Sequence, residues 1–177
     1  MAAEQPNAEL YLICRSAGHL CALPLDRVRE IMRPLPLERV AGGVADPAAS
    51  FVLGAAIVRG AVVPVVSLAG LMGRRNTGDI GEVGNPDQSA SQARYVSLRL
   101  GARHAALAVD AVLGIRALAA IDASAPMAPL IGMVEHAAVA AITTHDAEML
   151  FVLQAARLIP DAAWAALSAT GDAEAAP

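Results

Sequence analysis

At 177 residues the chain has room for one domain or for two small half-domains sharing a core. It is 56% hydrophobic but only 3% aromatic, so the core must be assembled from Ala, Val, Leu and Ile. A net charge of -4, with arginines scattered along the chain and few aromatic platforms, argues against a nucleic-acid surface.

The N-terminal stretch MAAEQPNAEL has an early acid and no basic-then-apolar run, so it does not read as a secretory signal. Residues 10–14 and 20–25 are short apolar runs separated by Ser16-Ala17-Gly18, the pattern of a β-hairpin. With Ala17-Gly18 as a two-residue turn, Cys14 faces Cys21 across the hairpin. That register puts them at a hydrogen-bonded position, where side chains are held apart, and reduced core thiols are expected. Pro24 lacks a ladder donor and belongs at an edge or bulge. Asp26 is expected to cap a short turn before Val28 and Ile31 resume a strand.

The stretch GAAIVRGAVVPVV, residues 54–66, sets one arginine, Arg59, inside an apolar run and before Gly60. Two readings stay open. Arg59 is either the solvated tip of a hairpin or a partly buried guanidinium whose fork of donors pins two segments or a partner. Ser67 stands where the N-cap of a short helix, 68–72, belongs, with Gly73 placed to stop it. The longest uncharged stretch, 60–73, is too short to span a bilayer and contains Pro64. Residues 74–93 are rich in Gly, Asn, Ser and Asp and read as a flexible connector.

Beyond the connector the chain repeats itself. Adding 84 to positions 11–31 matches Tyr11 with Tyr95, Arg15 with Arg99, Ala22 with Ala106, Leu23 with Leu107, Asp26 with Asp110, Val28 with Val112 and Ile31 with Ile115. A second echo sets residues 62–73 against 149–160, with Gln154 as a poorer cap in place of Ser67. A looser one pairs Leu53-Gly54 with Ile131-Gly132. Two homologous halves in tandem follow. The expected fold is all-β: two pseudo-symmetric five-stranded barrels, the first over about 15–73 and the second over about 94–160. Short helical turns connect the strands. A short C-terminal helix begins near Pro160, with Trp164 and Leu167 covering one end of the core, and residues from about 169 are expected to be disordered.

Sites for chemistry are not legible. His19, His104, His136 and His145 lack zinc-like spacing, and Gly42-Gly43 fits no phosphate-binding loop. Glu30, Glu38, Asp46 and Asp110 fall at turns or strand ends without catalytic spacing. No catalytic residue, metal or cofactor is expected. The repeated Asp110 is read as a local backbone cap, like Asp26.

The segment ALPLDRVREIMR (22–33), followed by Gly54, Arg59-Gly60 and Pro64-Val65-Val66, then LAVDAVLGI (107–115) and MLFVLQAARLI (149–159), resembles the CheW-like chemotaxis coupling proteins in order over about residues 9–160. The resemblance implies two five-stranded SH3-like barrels and a cytoplasmic, non-catalytic adaptor. It would join the tips of membrane-bound chemoreceptors to a CheA-type histidine kinase, without nucleic acid or membrane insertion. It carries Val28, Ile31, Val58, Arg59 and Gly60 to the border of a receptor groove between the barrels, and assigns the kinase-facing surface to second-half strands around 95–115. Three positions depart from the family pattern: Ile57 replaces Asn, and Ser67 and Gln154 stand where Asp is usual. With the long connector they leave open a parallel pathway of surface motility or second-messenger output. A small-molecule-binding β-barrel is the more distant alternative.

Overall fold

The computed structural model describes residues 8–38, 51–72, 92–118 and 139–159, together with 161 and 164. Among the described residues ten strands run in chain order: β1 Glu9–Ser16, β2 His19–Pro24, β3 Val28–Met32, β4 Val52–Val58, β5 Ala61–Ser67, β6 Arg94–Leu100, β7 Arg103–Val109, β8 Ala111–Leu118, β9 Val139–His145 and β10 Glu148–Leu153. One helical turn, α1 Leu68–Leu71, follows β5, and 3₁₀ turns occupy Leu25–Arg27 and Ala155–Arg157.

The strands form two five-stranded sheets, in the orders β8-β1-β2-β10-β9 and β3-β6-β7-β5-β4. Exchanging the halves of the sequence (β1 for β6, β2 for β7, β3 for β8, β4 for β9, β5 for β10) turns the first order into the second. The repeat is therefore a structural two-fold, and the hairpin registers agree with it: Tyr11 pairs with Pro24 and Tyr95 with Ala108, Cys14 with Cys21 and Leu98 with Ala105. Even the irregularities recur, with a bulge at Arg29 in the β3–β6 ladder and at Leu113 in the β1–β8 ladder.

The expected division of the chain into one barrel over 15–73 and another over 94–160 does not hold. Each sheet takes a two-stranded hairpin from one half and three strands from the other. Hairpin β1–β2 inserts between β8 and β10, and hairpin β6–β7 between β3 and β5. The contacts that close this exchange are the parallel pairings β2–β10 and β5–β7. Such pairs need a long crossover: strands of both halves separate β2 from β10 along the chain, and α1, the connector and β6 separate β5 from β7.

The inserted hairpins are central strands, so both of their faces are apolar. Leu12, Cys14, Cys21 and Leu23 face a core shared with Val96, Leu98, Leu107, Phe151 and Leu153. The alternate residues Tyr11, Ile13, Leu20 and Ala22 face a cluster with Leu150 and Val152 belonging to the first sheet alone. The second sheet has its own cluster of Ala56, Val58, Val63, Val65, Tyr95 and Ala106. Trp164 packs on the shared core, as expected of the C-terminal segment, and lies under the Arg103 guanidinium at 5.1 Å.

Local chemistry matches the sequence at several points. Ser67 Oγ accepts from the Gly70 amide at 3.1 Å and caps α1. Gln154 makes no such cap, and the equivalent turn tightens to 3₁₀. Pro24 ends β2 beyond the residues that pair with β10, where its missing donor costs nothing. The Cys14–Cys21 register is the expected one, and both thiols are free and buried. Cys14 Sγ donates to the Cys21 carbonyl and Cys21 Sγ to Met72 Sδ, each at 3.6 Å.

The repeated aspartates depart from expectation. Asp26 is exposed and pairs with Arg27 at 3.0 Å rather than capping its turn. Asp110 does accept a backbone N–H, but that of Ala17 at 2.7 Å, 93 residues earlier, while its own amide donates to the Arg15 carbonyl at 2.9 Å. It ties the β1–β2 turn to the start of β8. The connector, Gly42-Gly43, Asp46, Gly73, Ile131-Gly132, His136, Pro160, Leu167 and the tail from 169 lie outside the described residues, save Gln92 and Ala93 at the connector's end.

Candidate functional site

All five residues carried over by resemblance belong to the second sheet and none to the first. Val28 and Ile31 are on β3, Val58 ends β4, and Arg59-Gly60 form the β4–β5 turn. Strands β3 and β4 are the two edges of this sheet, and the chain leaving β3 reaches back to β4 through a bridge. The Glu38 amide donates to the Ala55 carbonyl at 2.8 Å and the Ala55 amide to the Glu38 carbonyl at 2.9 Å. Gly54 makes this approach possible: at φ +151 a Cβ would stand 2.6 Å from the Glu38 carbonyl oxygen.

The two-residue turn between paired Val58 and Ala61 follows the strand twist as a type I′ turn, left-handed at both positions. Arg59 has φ +51 and Gly60 φ +81. A non-glycine residue is uncommon in that region, and here its side chain has a partner. Arg59 Nε donates to both carboxylate oxygens of Glu30 at 2.9 and 3.1 Å, and Nη2 donates to Oε2 at 2.8 Å. The sequence missed Glu30 as the partner because it sits 29 residues away on another strand. The clasp fastens the β4–β5 turn to β3. Hydrogen bonding from Arg59 lowers the Glu30 pKa, and the same contact raises that of Arg59.

The two readings of Arg59 thus merge. It is a hairpin tip, 77% exposed, and it also pins two segments, since Glu30 is only 27% exposed. No uncompensated buried charge would follow from its removal.

Side-chain alternation sorts the remaining candidates. Val58 is 8% exposed and packs in the second sheet's own cluster, so it cannot meet a partner directly. Val28 packs partly against the shared core. Ile31 alternates to the outer face, and so do Ile57 at 61% and Val62 at 75% exposure, which pair across the β4–β5 ladder. Ile57 was singled out only as a departure from a pattern, and Val62 not at all. The alternation of β4 around buried Ala56 and Val58 was the available signal.

In the proposed kinase-facing stretch, 95–115, most of β6 and β7 is buried, whereas Leu113 and Ile115 on β8 are exposed, as is Met149 on β10. Ile115 and Met149 are the two-fold counterparts of Ile31 and Val62. A separate groove of about 1,080 Å³ runs beside the 25–27 turn, lined by Leu10, Tyr11, Leu25, Val139 and Val152 among others. None of the five carried-over residues borders it. Among the described residues no three His, Cys, Asp or Glu side chains gather to hold a metal, and no helix is long and apolar enough to cross a membrane.

The model of the CheW-like domain matches residues 10–163. The chain belongs to the CheW-like domain family. Among solved structures it is similar to the crystal structure of scaffolding protein TtCheW from Thermoanaerobacter tengcongensis, at 20% identity and a TM-score of 0.63, over 83% of this chain and 89% of that one. At that identity the likeness concerns the fold. A comparison with curated protein sequences returned no match. The CheW-like fold accounts for the doubled all-β architecture, and Ile57 stands out in this CheW-like chain as an apolar residue beside the Arg59 turn.

Proposed function

We propose that this CheW-like chain is a cytoplasmic, non-catalytic adaptor that couples the tips of chemoreceptors to a CheA-type histidine kinase. One observation carries the reading: the Glu30–Arg59 clasp holds an edge strand and a hairpin in fixed relation, with Ile31, Ile57 and Val62 exposed on the outer face around it. Single exposed apolar residues are ordinary, but a group of them on a fastened sheet end is a surface suited to a protein partner. The receptor tip is assigned here, and the kinase to the Leu113, Ile115 and Met149 face of the first sheet. Transient signalling contacts of this kind bury on the order of 1,200 Å².

The test is capture of a receptor cytoplasmic hairpin and of a CheA-type kinase by the purified chain. Ile31→Ala and Ile57→Ala should weaken receptor capture and leave kinase capture intact, and Ile115→Ala should do the reverse. Unchanged capture by all three variants would remove the assignment. Capture of neither protein by the wild-type chain would remove the adaptor reading.

Ile57 favours a second reading, a CheW-like adaptor of a parallel chemosensory pathway, because it offers 61% of an apolar side chain where the family resemblance expects Asn. Ile57→Asn should then lower capture of the chain's own receptors.

A further inference from the structure

The Glu30–Arg59 clasp has a counterpart place on the first sheet, and there the chain is built differently. Glu30 pairs with Ser97, and Gly114 with Ile13, so Gly114 stands where Glu30 does under the internal two-fold. The β9–β10 turn, Asp146-Ala147 between paired His145 and Glu148, takes the place of Arg59-Gly60. With no side chain at 114 and a short acid on the turn, the slot is left open as a pocket of about 140 Å³.

Three aliphatic side chains and five charged or titratable ones line the pocket, and of the latter Arg116 alone has no oppositely charged side-chain partner among the described residues. Ile13 and Leu20 are buried members of the first sheet's own cluster, and Leu113 stands at the rim. Arg15 and Glu148 satisfy each other at 3.0 Å. Arg116 has no carboxylate partner among the described residues, its Nη1 donating to the Ile115 carbonyl at 2.9 Å. Among the described residues Asp146 pairs only with the His145 ring nitrogen, Nε2 to Oδ2 at 3.4 Å. A Cβ placed on Gly114 would lie 3.6 Å from Arg116 Nη1, so a carboxylate entering where residue 114 lacks a side chain arrives at a guanidinium.

We propose that this pocket binds a free α-amino acid with a small aliphatic side chain. The carboxylate pairs with Arg116, the ammonium with Asp146, and the side chain lies against Ile13 and Leu20. The ligand supplies inside the slot the adjacent anion and cation that Glu30 and Arg59 supply on the other sheet. Charge-assisted contacts at both ends give the selectivity, and a cavity of about 140 Å³ takes roughly six heavy atoms, room for the aliphatic side chain and Cα of the ligand while its two charged ends reach the exposed Arg116 and Asp146. The site does not depend on the adaptor reading.

The test is titration of the ¹⁵N-labelled full chain with L-valine, followed by amide chemical shifts. Saturable shifts are expected at Gly114–Arg116 and His145–Glu148. N-acetyl-L-valine, which lacks the ammonium, and L-valinamide, which lacks the carboxylate, should each bind at least about tenfold more weakly. Arg116→Gln and Asp146→Asn should each abolish the saturable shifts while the rest of the spectrum stays that of the folded chain. The proposal is overturned if L-valine leaves those amides unmoved, if either analogue binds as tightly as L-valine, or if both variants retain the response.

Discussion

Val58 and Val62 are four residues apart on one hairpin, yet alternation sends one inward and the other to solvent, which makes them a controlled pair. Val→Ala removes two methyl groups. At roughly 0.8 kcal/mol per buried methylene-sized group plus a modest cavity contribution, Val58→Ala should cost about 2 kcal/mol. Val62 is 75% exposed, so only about a quarter of that transfer energy is at stake, and Val62→Ala should cost about 0.4 kcal/mol. For a chain of this length 1 kcal/mol moves the melting temperature by roughly 2–4 °C. Val58→Ala should therefore melt about 4–8 °C lower, and Val62→Ala within a degree or two of wild type. Scanning calorimetry or circular dichroism measures both, and receptor capture measured alongside should fall for Val62→Ala. Equal melting points for the two variants, or a larger drop for Val62→Ala, would refute the assignment of faces on which the docking surface rests.

The exchange of hairpins between sheets predicts that residues 1–72 and 92–177, expressed separately, lack a cooperative thermal transition and regain it on mixing; a sharp transition in either fragment alone would contradict the topology. Glu30→Gln and Arg59→Ala should impair receptor capture to similar extents with the fold retained, since each opens the same clasp. Because contact with Arg59 lowers the Glu30 pKa from 4.5, the clasp's contribution is complete above the unfolded-state value and is lost as pH falls through the lower folded value. Glu30→Gln should abolish that portion of the acid dependence of stability, as seen in melting curves collected below about pH 5. Burial pushes the Cys21 thiol up to about 12 and raises that of Cys14 well above its usual range, so neither should react with iodoacetamide at neutral pH until the chain is denatured, as mass spectrometry would report.

The sequence by itself determined what depends on neighbours along the chain. Period-two apolar runs, the Ala17-Gly18 and Arg59-Gly60 turns, the cap at Ser67 and its weaker counterpart at Gln154 follow from side-chain alternation and from backbone groups within a few residues. So did the doubling, because two copies of one pattern must fold alike. Only the tertiary structure decided which strands lie beside which. Hairpins β1–β2 and β6–β7 have the same register and similar faces, so each set of three remaining strands has two nearly equivalent partners, and nothing local says that the halves exchange them. The same non-local choice gives Arg59 its carboxylate on β3, draws Asp110 to Ala17, turns Val58 inward, and leaves Gly114 facing an open slot where Glu30 closes the other.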